Sequence, residues 1–326
     1  MSKPISVVTY LDNLAAIRDN TNPQHCLDEL DQHHQPTDRA QDTPMTTTLS
    51  TFSEQPTPLT SGEQTPVDGV ANADLALSPA IRQRVQAWVQ RGYALENLGH
   101  YEEAIISFER AIVLHARCVH AWQGRGIALA QLGYHEEALM SFGRVTRWQP
   151  DDYRGWQNMG RVLMHLARYA EALTYFDRAL LLKVDSYKAW YHRAIALDAL
   201  KKPMAALSSI DRALKIRPEC HYAWTAQGLL LTKVGRYSDA DASFDCSVRL
   251  RGNNFGAWYG KASCAALQGL VEIAIADLTQ AMKCSPLSAR SMLKTDPQFE
   301  SIRGTLEFQR FLQSTLNHEN GDVQNR

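Results

Sequence analysis

The chain has no apolar run close to the eighteen or so residues that a membrane helix requires. Its opening, MSKPISVVTYLDNLAA, meets Asp12 before a signal-like apolar region develops. Ser2 stands where a myristoylation site needs glycine. The six cysteines, Cys26, Cys118, Cys220, Cys246, Cys264 and Cys284, form no CxxC pair and no zinc-ligand spacing. Reduced thiols in a cytoplasmic protein are therefore expected, with no metal. His25, His33 and His34 cluster without a fixed geometry and read as solvated side chains. The sequence also lacks a phosphate-binding loop, GxSxG, HExxH and a dinucleotide fingerprint, so neither an enzyme nor a cofactor is expected. A formal net charge of -1 argues against a nucleic-acid binder.

That small net charge hides a division. Through Asp74 there are eleven acidic residues against Lys3, Arg18 and Arg39, a balance of -8, which leaves +7 for the remainder. Residues 1–77 have no sustained period and are rich in Pro, Thr, Gln and Asp. They bury too little apolar surface to offset ordering entropy, so a disordered acidic leader is expected. Within it Val7, Val8, Leu11, Leu14 and Ile17 are spaced for one face of a short helix.

From Val85 onward the sequence repeats. Trp88, Trp122, Trp156, Trp190, Trp224 and Trp258 are each 34 residues apart. With tryptophan at position 4, the units start at residues 85, 119, 153, 187, 221 and 255. Position 8 is glycine or alanine, position 11 leucine in five units, and position 20 alanine in all six. Position 24 is Phe108, Phe142, Phe176, Ile210, Phe244 and Leu278, and Pro150, Pro218 and Pro286 close three units. Positions 4, 8 and 11 lie on one face of a first helix, and positions 20, 24 and 27 on one face of a second. Breaks such as LGHYEEA separate the two. A fixed period of this size means stacked supersecondary units.

The pattern W-x3-G/A-x2-L-x8-A-x3-F-x2-A-x4-P resembles the tetratricopeptide repeat (TPR), in its bacterial and cyanobacterial form, over residues 85–286. The resemblance implies an all-α, right-handed α-solenoid of six TPR helix-turn-helix units whose first helices line a concave groove. The expected organisation is an acidic leader at 1–77, the units at 78–286, a C-terminal helical cap at 287–316 and a frayed tail at 317–326. Leu293, Asp296, Pro297, Phe299, Ile302, Arg303, Phe308 and Phe311 resemble the segment that closes bacterial arrays of this family. Two columns stand beside the apolar stripe. Position 7 is basic at Arg91, Arg125, Arg193 and Lys261, and position 25 acidic at Glu109, Asp177, Asp211 and Asp245, which predicts charged heads paired between helices. Trp148, outside the tryptophan column, is expected to pack between repeats.

In the resembled family, positions 2, 5, 6, 9, 12 and 13 face the groove, and periodicity predicts that they are exposed. Unit one offers Tyr93 and Asn97, unit two Gln123, and unit three Arg154, Gln157, Asn158, Arg161 and His165. Unit four adds Lys188, Tyr191 and His192, unit five Tyr222 and Thr225, and unit six Tyr259. Tyrosines supply rigid amphipathic contact, while Arg and Asn supply directed hydrogen bonds. Arg154, Asn158, Arg161 and Lys188 form the strongest candidate for receiving a carboxylate or an acidic segment. His165 and His192 come from adjacent units and read as polar lining. The lysine at position 5 with which some relatives clamp chaperone tails is missing, since that column is Val89, Gln123, Gln157, Tyr191, Thr225 and Tyr259.

The function expected is a non-enzymatic scaffold, adaptor or complex-assembly factor holding a peptide or protein in the groove. A regulatory nucleic-acid-binding solenoid and a targeting subunit of a separate enzyme are the alternatives. The acidic leader is a further candidate guest of the basic groove.

Overall fold

The computed structural model of the protein describes residues 77–323, and side chains as far as Thr315. The candidate leader helix at Val7–Ile17 lies outside the described residues. The described chain holds fourteen α-helices and a short 3-10 turn, with no strand among them. Six hairpins follow the predicted register: α1 Pro79–Asn97 with α2 Tyr101–Leu114, α3 Val119–Gln131 with α4 His135–Trp148, α5 Tyr153–His165 with α6 Tyr169–Leu182. They continue as α7 Tyr187–Ala199 with α8 Pro203–Ile216, α9 His221–Lys233 with α10 Tyr237–Leu250, and α11 Phe255–Leu267 with α12 Val271–Cys284. Each helix packs on the next in chain order, so the units stack as a solenoid. The first helices of several adjacent units also approach one another (α1–α3, α3–α5, α5–α7 and α9–α11), and the second helices of adjacent units do not do so to the same extent. The stack therefore closes on the first-helix side, which is its inner wall.

Local chemistry sets the helix ends. Ser78 caps α1 by accepting from the Ile81 N–H, with Pro79 at the first turn, and Asp152, Ser186 and Asn254 cap α5, α7 and α11 in the same way. Pro203 opens α8, as its place in the turn predicts. Every hairpin turn has position 15 in the left-handed region: Gly99, Gly133, Gly235 and Gly269, but Ala167 at φ 57° and Lys201 at φ 61°. The N–H two residues beyond the first helix's last turn reaches back to position 11, as in Tyr134 to Leu129 and Arg168 to Leu163. A Cβ is disfavoured in this conformation. Ala167→Gly is therefore expected to raise stability by about 0.5–1 kcal/mol and Gly133→Ala to lower it by about as much, read from urea midpoints at equal slope.

Between the helices of each hairpin the position-20 alanines are fully buried, as are Phe108, Phe142, Phe176 and Phe244. The tryptophans, although their column shares a helix face with positions 8 and 11, do not fill the core. All six are only partly buried. Five donate their indole N–H to a carbonyl six residues upstream, at 2.6–2.8 Å: Trp122 to Ala116, Trp156 to Pro150, Trp190 to Val184, Trp224 to Pro218 and Trp258 to Gly252. Each indole thus pins the loop that enters its own unit. Trp148 lies 6.1 Å from Trp122 of the same unit, so it is part of one repeat's packing as well as near a boundary.

The charged columns form a ladder between units. Arg125 donates to Glu109 at 3.1 Å, Arg193 to Asp177 at 2.7 Å, Gln227 to Asp211 at 2.7 Å and Lys261 to Asp245 at 2.6 Å. Where unit three has Met159 at position 7, unit two has Gly143 at position 25, so both partners are missing together. Asp241, which replaces an aliphatic residue in its column, is half-buried and lies 3.7 Å from Lys261. Asp277 is nearly covered at 7% exposure, with no partner for Oδ2. Burial, against the attraction of Lys261, raises its carboxyl from 3.8 to about 6. Between those values the native state holds a proton that the unfolded state has lost, so this group's contribution to stability is present below about pH 4 and disappears as pH rises through 6. Asp277→Asn is expected to add roughly 1–3 kcal/mol at pH 8 and almost nothing at pH 4, measured by chemical unfolding at both pH values.

Beyond unit six, α13 Pro286–Thr295, the turn Pro297–Phe299 and α14 Leu306–Val323 follow. Leu293, Phe299, Ile302 and Phe308 are almost wholly buried, and Arg303 donates to the carbonyls of Leu293 and Asp296. The last helix continues to Val323, past residue 316 where the sequence reading ended the cap.

Candidate functional site

In three of the six units position 5 does not project into the groove: it lies under whatever follows the unit and bonds to it. The Gln157 carbonyl accepts from the Ser186 hydroxyl at 3.0 Å. Thr225 meets Ser247 at 2.8 Å and accepts from the Asn254 amide at 3.0 Å. The Tyr259 hydroxyl donates to Asp296 at 3.0 Å, and its ring meets Phe299 edge-on at 5.5 Å. Gln157, Asn158, Thr225 and Tyr259 are consequently buried, at 6%, 6%, 4% and 0% exposure, which corrects the expectation that periodicity leaves them open. Their burial fits side chains that join units.

At unit six the inner wall is closed altogether. Gly256, Gly260, Ser263 and Ala266, at positions 2, 6, 9 and 12, are small and buried. The turn Pro297–Phe299 packs on α11 there, and the Ser301 hydroxyl donates to the Ala266 carbonyl at 2.6 Å. The open wall therefore spans units one to five.

Along that stretch Asn97, Arg154 and His165 are exposed, while Tyr93, Gln123, Arg161, Lys188, Tyr191, His192 and Tyr222 are half-buried. The four-residue cation cluster is divided. Arg154 pairs with Asp152, the cap of its own helix, at 3.0 Å. Arg161 contacts Asn158 through a long 3.4 Å bond, and both it and Lys188 of the next unit act electrostatically on His192. Tyr191 meets Tyr222 edge-on at 4.8 Å, forming an aromatic step between units four and five. The Tyr93 hydroxyl donates to the His120 carbonyl at 3.1 Å, and burial raises its pKa.

The two histidines are not stacked on one another. His165 stacks on His135 at 5.1 Å, and His192 on Phe176 at 5.9 Å. Burial, then His135 and Arg161, pushes His165 down to about 4, although the residue keeps an exposed edge. Burial, then Arg161, His165 and Lys188, pushes His192 down to about 3. Both rings are neutral at physiological pH, and the cations beside them supply part of the reason. Among the described residues no group of three His, Cys, Asp or Glu side chains is placed to hold a metal ion.

Glu96 and His135 escape the sequence reading, and the groove residue Asp198 has a partner that the reading does not give. Glu96 occupies groove position 12 of unit one, and burial raises its carboxyl to about 7, with Oε2 unpartnered. Asp198, at the same position of unit four, is 1% exposed and bound to Lys233 at 2.6 Å. The columns already marked both as groove positions, but not their neutralisation. His135 begins a second helix, outside every groove column, and only the fold brings it to His165.

Tetratricopeptide repeat models match residues 85–117, 119–152, 158–220 and 225–289. No curated protein sequence matches the chain. Among solved structures, the type IV pilus biogenesis factor PilW is similar at TM-score 0.60 and 21% identity, over 64% of this chain and 98% of that one. PilF of Pseudomonas aeruginosa is similar at TM-score 0.58 and 17% identity, over 72% of this chain and 99% of that one. At such identities the likeness is one of fold. No helix among the described residues is long and apolar enough to cross a membrane. Period, stacked hairpins and matched models agree: the chain belongs to the tetratricopeptide repeat family.

Proposed function

We propose that this protein is a non-enzymatic scaffold that receives an acidic peptide, or an acidic segment of a larger protein, along the inner wall of units one to five. One observation carries the reading: the wall's charge is one-sided. Its groove columns hold Arg154, Arg161, Lys188 and Lys233 against only Glu96 and Asp198. Asp198 is already bound to Lys233, and Glu96 is half-protonated near neutral pH. Arg161 and Lys188 stand in the columns of this wall together with the Tyr191–Tyr222 step. A guest carboxylate there gains charge-assisted hydrogen bonds, and its flanking side chains gain aromatic contact.

The role of adaptor or assembly factor follows from a binding wall joined to no recognised catalytic motif. The fold is shared with a pilus biogenesis factor, which supports that role by analogy alone. A cytoplasmic setting is part of the proposal, since the six cysteines are spaced neither as CxxC pairs nor as zinc ligands.

The test is anisotropy of a labelled glutamate-rich dodecapeptide and of the same peptide with glutamine throughout. The glutamate peptide is expected to bind, and to lose affinity as salt rises. Equal binding of the two peptides, or no binding of either, rejects the acidic-guest reading.

A further inference from the structure

We infer that the groove's resident guest is the chain's own acidic leader, residues 1–76, which occupies the wall beside Arg161, Lys188 and Tyr191 and competes with outside partners. The inference rests on the acidic-guest reading above and names the first ligand of that site.

Three observations support it. The first is charge. The leader carries -8 through Asp74, and the groove columns of units one to five hold four cations against two carboxyls. The second is chemical match. The leader's sequence sets Val7, Val8, Leu11, Leu14 and Ile17 among its acids, and the wall sets tyrosine rings among its cations. The third is reach. The leader joins the array at Ser78, the cap of α1, which is itself the first helix of the wall. Packed helices lie about 8–10 Å apart, so the first helices of units one to four span roughly 30–40 Å. Seventy-six residues, at up to about 3.3 Å each, exceed that distance several times over. The leader can therefore reach the centre of the wall without stretching, at an effective concentration of about a millimolar.

A second basic surface competes for the same segment. On the outer helices Arg110, Arg144, Arg178 and Arg212 form one exposed column at position 26, with no ion pair among the described residues. Three of them lie 5.8–6.0 Å from the rings of Trp122, Trp156 and Trp190. This column lies on the side where the stack opens, so a peptide meets few of its cations at once. The inner wall curves toward its guest.

The experiment uses the full chain with photoreactive benzoylphenylalanine at one of two places, in place of Tyr191 on the wall or Met140 on the outer face. Crosslinks from position 191 to residues 1–76 of the same chain are expected in low salt, and they are expected to vanish at about 0.5 M salt, where screening is nearly complete. Crosslinks from position 140 only, crosslinks only between chains, or none at all overturn the inference. A second arm removes three of the leader's acids in the full chain by Asp28→Asn, Glu29→Gln and Asp31→Asn, which takes its balance from -8 to -5. A tethered competitor at about a millimolar, with an intrinsic dissociation constant of about 100 μM, weakens an outside guest about tenfold, so the glutamate peptide is expected to bind up to about tenfold more tightly to this variant. Unchanged affinity overturns the leader inference and leaves the scaffold reading standing. The scaffold reading fails separately, through loss of discrimination between the glutamate and glutamine peptides.

Discussion

Phe244→Ala is expected to lower the unfolding free energy by about 3–5 kcal/mol, the cost of emptying a fully packed aromatic site. Its ring is completely buried and is held between two glycines. A Cβ on Gly228 would lie 2.6 Å from the ring, and one on Gly260, in the next unit, 2.7 Å from it. The ring therefore has nowhere to retreat. Gly228→Ala, which in an open helix stabilises by about 1 kcal/mol, is here expected to destabilise by about 1–3 kcal/mol. The repeats themselves show how the clash is relieved. Units four and six have alanine at position 8, Ala194 and Ala262, and in both the opposing position 24 is aliphatic, Ile210 and Leu278. The double variant Gly228→Ala with Phe244→Leu rebuilds the pair found in unit six. It is expected to be more stable than the sum of the single variants predicts, by about 1–2 kcal/mol in a double-mutant cycle. Strict additivity would mean that glycine and ring do not constrain each other.

This complementarity was legible before any coordinates, because it lies in columns of a strict period: small at positions 8 and 20, large at 4 and 24. The pairing of positions 7 and 25 was legible for the same reason. The inner wall was legible only in part. Period assigns a face, but exposure at position 5 depends on the residue that begins the next unit. Gln157 is buried because Ser186 meets it, and Tyr259 because the chain after unit six folds back and brings Asp296 and Phe299 over it. The first contact recurs at the same spacing of 29 residues between Thr225 and Asn254, whereas the second spans 37 residues and falls outside the repeat. The tryptophans show the same limit. Their period is plain, yet their bonds to carbonyls six residues upstream depend on the backbone path of each loop. Glu96 and Asp198 share a groove column and a charge, and they are neutralised by different means, a proton and a lysine.

Reversing the wall's charge, by Arg161→Glu together with Lys188→Glu, is expected to weaken an acidic peptide by about 2–4 kcal/mol, roughly 30- to 1,000-fold, since two attractions become two repulsions at partly buried positions. The neutral pair Arg161→Gln and Lys188→Gln removes attraction alone and is expected to lose less. Its salt dependence should be shallower than that of the native chain, because fewer charges remain to be screened. A reporter inside the molecule follows the field. Burial first, then Arg161 and Lys188 among others, holds His192 uncharged, so replacing the two cations with acids is expected to raise the His192 pKa above about 3. Its ring remains stacked on Phe176 in a folded array, so the change is readable by NMR titration of the imidazole. A variant that loses the peptide and shows the raised histidine, with its helical circular dichroism and unfolding midpoint kept, has lost the field and kept the fold. A variant that keeps its affinity for the peptide while the histidine titrates upward would remove these two cations from the binding site.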